Sequence, residues 1–170
     1  MRGVAVLASV LAIAAAVPAA SPAVEPATPK PPTARASLAA GIVAKLNAIR
    51  ASNNLAPLVV NAKLAAAATA HTNEMLTKGY FAHESADGTS PIQRIKQYYG
   101  KSIVGENLLW FVGNMNAAKV VDAWMNNPPH KAVILDPRWR AIGVAALFSS
   151  KAPGYYKKRP TTAITADFGA

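Results

Sequence analysis

The sequence contains no cysteine and few acidic residues among its 170 positions. Without cysteine the chain can form no disulfide, thiolate metal site or cysteine nucleophile, so its apolar core must stabilise the fold. Only 8 Asp or Glu stand against 18 Lys or Arg, which gives a formal net charge of +10 at pH 7. Apart from Lys157-Lys158-Arg159 the basic residues are scattered, which favours a role in solubility over nucleic acid binding and leaves an acidic cell-envelope surface open as a partner.

The sequence also lacks an apolar run long enough to span a bilayer. Its longest run, Val4 to Val17, has about 14 residues, whereas a span needs about 20. Arg2 precedes the run and small residues follow it, a pattern typical of a secretory signal peptide, here residues 1–23. We therefore expect a secreted or extracytoplasmic protein, in the periplasm or cell envelope, with no transmembrane helix in the mature chain. An uncleaved N-terminal anchor is the alternative.

Residues 24–36 are rich in Pro and Ala and show no periodicity, which predicts a disordered spacer before a domain over residues 37–170. Apolar residues then recur at helical spacing in four segments. Ser37 is the expected cap of the first helix, and His71 lies on the apolar stripe of the second, which favours a packing role for it. The predicted helices span residues 38–52, 62–78, 91–99 and 117–125.

Three segments rich in β-branched and aromatic residues, 102–112, 139–148 and 161–168, predict strands, and residues 149–160 predict a loop. Helices and strands do not alternate regularly, so the pattern indicates an α+β fold. We expect an α–β–α sandwich with a small antiparallel sheet between helical layers. The expected core consists of large apolar side chains from both element types: Leu46, Leu64, Met75, Phe81, Trp110, Trp124, Ile134 and Trp139.

The stretch WMNNPPHKAVIL, residues 124–135, places a histidine at a rigid corner. Pro128 and Pro129 interrupt the preceding helix, because proline lacks the amide that a continuing helix needs. His130 follows where a new turn begins, and apolar residues up to Leu135 anchor that turn. Such a histidine is either a capping residue at the surface or part of a site.

Two further residues stand beside apolar anchors in the same way. His83 follows the aromatic pair Tyr80-Phe81, and Glu106 lies in an otherwise apolar strand, with Asn107 after it. A buried carboxylate costs several kcal/mol unless it is paired, so Glu106 must either face solvent or meet a cation or donor. Two imidazoles and one carboxylate can hold zinc with a position open for water. These residues are far apart in the sequence, so a shared site with His83 and His130 as metal ligands and three unrelated positions both stay open at this point. A metal held by the two histidines would bind more weakly below about pH 6.

From Leu46 to Gly169 the chain resembles the bacterial branch of the CAP superfamily, also called the SCP or pathogenesis-related-1-like domain. Five segments carry the resemblance in the family's order. They are LNAIRASNNLAPLVVNAKLAAAATAHTNEM, FAHESADGTSPIQRI, GENLLW, WMNNPPHKAVILDPRWRAIGVA and TADFG.

The resemblance implies the same α–β–α sandwich, with a central cleft lined in many members by two histidines and two glutamates. These carry over to His83, His130 and Glu106, and Asn107 joins the cleft residues. The second glutamate would fall near Asn127 and is absent. Pro129 and Lys131 replace the usual Gly and Arg beside His130. Asp122 could substitute for the missing acid but is expected to be solvated.

Three functions fit these residues. The first is a secreted module that binds a lipid, glycan or other small ligand in the cleft, with a divalent metal on the two histidines. The second is a metal-dependent hydrolase, in which Glu106 is the general base or holds a ligating histidine. The third is a basic protein that acts at the wall or on nucleic acid through its charge. The missing carboxylate favours binding, because hydrolysis needs one group to take a proton and another to give it.

Overall fold

A computed structural model describes residues 30–170. The predicted signal peptide and residues 24–29 of the predicted spacer lie outside these residues. Five helices and five strands follow one another, with a single 3₁₀ turn at Gly154–Tyr156. The helices are α1 (Ala36–Ser52), α2 (Ala62–Lys78), α3 (Pro91–Tyr99), α4 (Ala117–Met125) and α5 (Pro128–Ile134). The strands are β1 (Thr33–Ala34), β2 (Val59–Val60), β3 (Val104–Val112), β4 (Ala141–Ala152) and β5 (Arg159–Gly169).

The strands form one sheet in the order β1-β4-β5-β3, and β2 joins β4 as a short parallel neighbour. The long strands pair in antiparallel fashion, with β5 in the centre. Helices α2 and α3 cover one face, while α1, α4 and α5 cover the other. The predicted α+β class and α–β–α sandwich are therefore confirmed. None of the helices within residues 30–170 is long and apolar enough to cross a membrane.

Local chemistry explains most helix boundaries. The Asn61 side chain accepts hydrogen bonds from the first turn of α2, and Gly79 ends that helix in the left-handed conformation at φ 76°. Ser90 and Gln93 form a capping box at the start of α3. The prediction that Ser37 caps α1 is wrong, because α1 begins at Ala36 and its cap position, Arg35, makes no side-chain capping bond.

The chain is more ordered at two places than the sequence predicted. The predicted spacer extends to residue 36, but the ordered fold begins earlier. Thr33–Ala34 already pairs with β4, and Ala36 is the first residue of α1. The expected loop at residues 149–160 is shorter, because β4 continues to Ala152 and β5 begins at Arg159. Both extensions satisfy backbone groups along the edge and end of the sheet, which local composition does not reveal.

Most of the apolar core lies between the sheet and α1, α4 and α5. Trp124 is fully buried there, and its indole nitrogen donates to the Leu108 carbonyl oxygen at 3.0 Å. Of the predicted core residues, Phe81 and Trp110 are only partly buried and pack in a smaller cluster near the surface. The glycine at position 105 allows β3 to approach the Trp139 ring closely, because a Cβ there would lie 2.9 Å from that ring.

One buried cation joins the end of α1 to the end of α5 and the segment that follows it. The Arg50 guanidinium is fully buried and donates to four backbone carbonyl oxygens, at distances of 2.8 to 3.3 Å. Three of these carbonyls belong to Ile134, the last residue of α5, and to Asp136 and Trp139 in the loop before β4. Arg50 therefore fixes the segment that follows the predicted histidine corner.

Candidate functional site

The centre of the candidate site is a hydrogen bond between His83 and Glu106. His83 lies on the loop after α2 and is about half exposed, whereas the Glu106 side chain on β3 is buried. His83 Nδ1 lies 2.7 Å from Glu106 Oε1, so the ring nitrogen donates to the carboxylate. This bond raises the pKa of His83 above its ordinary value, although partial burial opposes the rise.

Arg94, on α3, holds both partners of that bond. One guanidinium nitrogen of Arg94 donates to Glu106 Oε2 at 2.5 Å, and another donates to the His83 carbonyl oxygen at 2.8 Å. Of the two alternatives that the sequence left for Glu106, solvent exposure or a cation or donor, the structure shows the second. His83 supplies one hydrogen bond, and Arg94 supplies a second together with the positive charge.

His130 reaches the site from the opposite helical layer. It is the third residue of α5, which begins with Pro128 at its first position, so the predicted turn is a short helix. Burial lowers the pKa of His130, and the charge of the neighbouring His83 lowers it further. His130 therefore favours the neutral form that metals bind, and the two imidazoles are close enough to affect one another.

Asn107 supports the site from the other face of β3. Because side chains alternate along a strand, it points away from Glu106. Its amide nitrogen donates to the His130 backbone carbonyl oxygen at 3.1 Å. Asn107 was predicted among the cleft residues, and in the structure it attaches α5 to the sheet and so positions His130.

The structure adds one acidic residue that the sequence did not single out. Asp167 is the cross-strand partner of Glu106 and is completely buried. Within residues 30–170 no donor reaches either of its carboxylate oxygens. Burial raises the pKa of Asp167 well above its usual range, and the charge of Glu106 raises it further. The neutral acid is therefore the favoured form of Asp167.

Arg94 and Asp167 carried a signal that could have found them. Arg94 precedes Ile95 on the buried side of an amphipathic helix, and Asp167 interrupts residues 161–168, which are otherwise apolar or threonine. A charged side chain in an apolar segment is costly to bury unless it is paired, and this argument, which identified Glu106, applies equally to Arg94 and Asp167. Knowing that Glu106 faces Asp167 requires the strand register, which no local pattern provides.

Two other side chains lie where the sequence predicted. His71 is buried on α2, its Nε2 donates to the Ala82 carbonyl oxygen at 3.0 Å, and burial lowers its pKa. Asp122 is exposed on α4, so it does not replace the missing second carboxylate.

The donor set for a metal is small. Both Glu106 oxygens are engaged by His83 and Arg94, and residues 30–170 contain no group of three or more His, Cys, Asp or Glu arranged to hold a metal ion. The imidazoles of His83 and His130 remain. A histidine that donates its Nδ1 proton to a carboxylate presents Nε2 outward, which is the usual arrangement of a metal-ligating histidine. The residues thus fit a metal bound by two imidazoles and completed by water.

Comparison with known proteins gives consistent matches. The sequence model of the CAP family (Cysteine-rich secretory protein family) matches residues 43–159. The uncharacterized protein YkwD of Bacillus subtilis is 35% identical over 104 residues, which cover 61% of this chain and 40% of YkwD. The chain therefore spans less than half the length of that relative.

Two solved structures share the fold. An extracellular protein containing an SCP domain from Bacillus anthracis matches 79% of this chain and 40% of its own, with a TM-score of 0.62 and 23% identity. An outer surface protein from Borrelia burgdorferi matches 74% of this chain and 88% of its own, with a TM-score of 0.58 and 20% identity. At these identities the likeness concerns the fold alone.

Proposed function

The chain belongs to the cysteine-rich secretory protein (CAP) family, in its bacterial branch, and from this premise we propose that it is a non-catalytic binding module exported from the cell. The module binds a lipid, glycan or other small ligand in the cleft between His83 and His130. The observation that carries the proposal is the 2.7 Å bond from His83 Nδ1 to Glu106, which orients the other ring nitrogen for a ligand.

In this proposal His83 and His130 also hold a divalent metal, with zinc as the first candidate. A metal bound by two imidazoles keeps positions open for water or for a polar group of the ligand. Glu106 orients His83, Arg94 neutralises Glu106, and Asn107 keeps α5 in place. Two protein ligands supply a modest affinity, because structural zinc sites use four.

Calorimetry with zinc at pH 7 tests the metal site. We expect wild type to bind one zinc, His83→Ala and His130→Ala to bind none, and Glu106→Gln to bind about 10–100-fold more weakly because His83 loses its orienting partner. His71→Gln is the matched control, since it removes an imidazole but keeps an amide donor for Ala82. A wild type that binds no zinc, or a His71→Gln variant that fails to bind it, would leave the cleft as a metal-free site.

A metal-dependent hydrolase is the second candidate. The bond between His83 and Glu106 favours the version in which Glu106 holds a histidine, because a carboxylate with both oxygens engaged is a poor general base. Native mass spectrometry of protein purified from its exporting host separates the two candidates. A bound, intact small molecule supports the binding module, whereas its release in altered form after incubation supports hydrolysis.

Export is proposed from the signal pattern of residues 1–23. The neighbouring structures from Bacillus anthracis and Borrelia burgdorferi are described as extracellular and outer-surface proteins, which supports the same location here. N-terminal sequencing of the protein from culture medium or envelope should begin between Ala20 and Val24. A mature chain that begins at Met1 would contradict export through cleavage.

A further inference from the structure

A partly exposed group of aromatic and basic residues lies on the same face of β3 as Glu106 but four residues further along, about 13 Å away. We propose that this group, the aromatic-basic platform, binds an acidic polysaccharide. The platform consists of Phe81, Trp110, Tyr155, Lys157, Lys158 and Arg159. It is a site distinct from the cleft that contains His83 and His130.

The aromatic part of the platform is a packed cluster with one open side. The Tyr155 ring stacks on Phe81 with centroids 6.1 Å apart and meets the edge of Trp110 at 5.5 Å. Tyr155 nevertheless remains 53% exposed. The Arg159 guanidinium lies 5.3 Å from the centre of the Trp110 ring, which holds its charge beside the aromatic surface.

The loop that carries Tyr155 is held rigidly. Its neighbour Tyr156 is fully buried and donates through its hydroxyl to the Tyr80 carbonyl oxygen at 2.9 Å. The Tyr155 amide donates to the Gly79 carbonyl oxygen at 2.8 Å. Gly154 packs so closely on Gly79 that any Cβ at Gly154 would overlap it. A surface that is fixed before binding loses little conformational entropy when a ligand arrives.

The backbone beside Tyr155 adopts a conformation that its residues disfavour. Lys157 and Lys158 both have positive φ, 55° and 56°, where non-glycine residues are uncommon and strained. Two consecutive lysines in this region place two exposed ammonium groups beside the aromatic cluster. Backbone strain of this kind concentrates at ligand sites, where the surrounding structure holds it.

The charge around the platform has one sign. No acidic residue occurs from position 137 to position 166, and none of the ion pairs within residues 30–170 involves Lys157, Lys158 or Arg159. A groove of about 660 Å³ adjoins the platform, and its lining includes three lysines, Lys30, Lys151 and Lys158, among uncharged residues. An extended anionic ligand that leaves the platform would therefore meet further cations.

Aromatic and basic groups together select an acidic sugar polymer. The C–H face of a sugar ring packs on an aromatic ring, and its carboxylates or phosphates form charge-assisted hydrogen bonds with Lys and Arg. Single-stranded nucleic acid needs several separate ring faces for successive bases. Here Tyr155 is stacked on Phe81 and Trp110 is covered by Arg159, so the cluster offers one open face.

Titration with a galacturonate hexamer, followed by calorimetry and tryptophan fluorescence at low salt, tests the proposal. Tyr155→Ala removes one stacking ring and should weaken binding about tenfold or more. The double variant Lys157→Asn with Lys158→Asn should weaken it by a similar factor, and asparagine tolerates positive φ. The matched control, Lys45→Gln with Lys119→Gln, removes the same charge from α1 and α4 and should stay within about twofold of wild type.

Further probes separate the platform from other binding modes. His83→Ala should leave hexamer affinity unchanged, which keeps this result independent of the zinc experiment. Neutral maltohexaose should bind about tenfold more weakly than the galacturonate hexamer. The proposal is overturned if wild type does not bind the hexamer at about 1 mM, a concentration that detects weak complexes. It is also overturned if the control variant loses as much affinity as Lys157→Asn with Lys158→Asn, or if oligo-dT or phosphatidylglycerol vesicles bind the platform more tightly.

Discussion

The face of the sheet under α1, α4 and α5 buries an almost wholly apolar core, with the cation Arg50 at its end, whereas the face under α2 and α3 buries a group of charged side chains. On the first face Trp124 and Phe168 are fully buried among apolar side chains. On the second, buried Glu106 and Arg94 hydrogen-bond to half-exposed His83, and buried Asp167 lies opposite Glu106 on the next strand. The first face stabilises the fold because apolar area is removed from water. The second face lowers the net stability, because burying its charged and titratable groups costs free energy.

The largest effect should come from the apolar face. Trp124→Ala removes a fully buried indole and the donor to the Leu108 carbonyl, so it should lower the free energy of unfolding by about 3–5 kcal/mol. Urea melts measure this loss. Ile92→Ala, at a residue that is 52% exposed, should change stability by less than about 0.5 kcal/mol. A loss below about 1 kcal/mol for Trp124→Ala would contradict the claim that the apolar face contributes more to stability than the polar face.

Breaking the ion pair on the polar face should cost slightly less. Arg94→Met leaves the buried Glu106 carboxylate without its cation, and we expect a loss of about 3 kcal/mol. The double variant Arg94→Met with Glu106→Gln should lose less than Arg94→Met alone, because no unpaired charge remains. Equal losses in the two melts would mean that packing of the Arg94 stem, and not charge, holds this face together.

A smaller effect, visible through pH, belongs to Asp167. Its pKa is raised on folding, so the proton is bound more tightly in the folded state, and stability falls as pH rises from about 4 through the folded pKa. Asp167→Asn removes this fall. Relative to wild type, the variant should therefore gain about 1 kcal/mol or more between pH 4 and pH 7 in denaturant melts. The cost of burying an amide in place of the acid in this variant does not depend on pH, so it cancels when the two pH values are compared. If the stabilities of wild type and variant change with pH in parallel, the raised pKa of Asp167 is contradicted.

The smallest effect on stability concerns His83. Glu106→Gln removes the carboxylate that raises the pKa of His83, so the imidazole should titrate closer to its ordinary value in NMR spectra. His83 is half exposed, so its own part of the stability change should stay below about 1 kcal/mol and occur only at pH values where His83 is protonated. The Arg94 guanidinium, left without its anion in this variant, adds a larger loss that does not follow the titration of His83. Glu84→Gln removes a nearby charge without that hydrogen bond and should shift the pKa less. If His83 titrates unchanged in Glu106→Gln, then Glu106 is not the group that raises the pKa of His83.

The apolar face was the easier one to predict from sequence. Helical spacing identified the stripes of α1 and α4, and Trp124 and Ile134 lie in the core as expected. The two-residue strands β1 and β2 were missed, because two residues have no periodicity. Glu106 was recognised from the cost of burial, but its partner Arg94 and its neighbour Asp167 depend on how α3 and β5 meet β3, which only the tertiary structure determines.

The buried guanidinium of Arg50 has a consequence for the order of folding. Its bond to the Ile134 carbonyl joins residues 84 positions apart, so a long loop must close before this contact forms. The segment that it secures follows α5, which carries His130. We expect contacts of this kind to form after the main folding barrier, so the loss of Arg50 should accelerate unfolding more than it slows folding. On this expectation the histidine corner assembles late, and its lifetime in the native state depends on a residue near the end of the first helix.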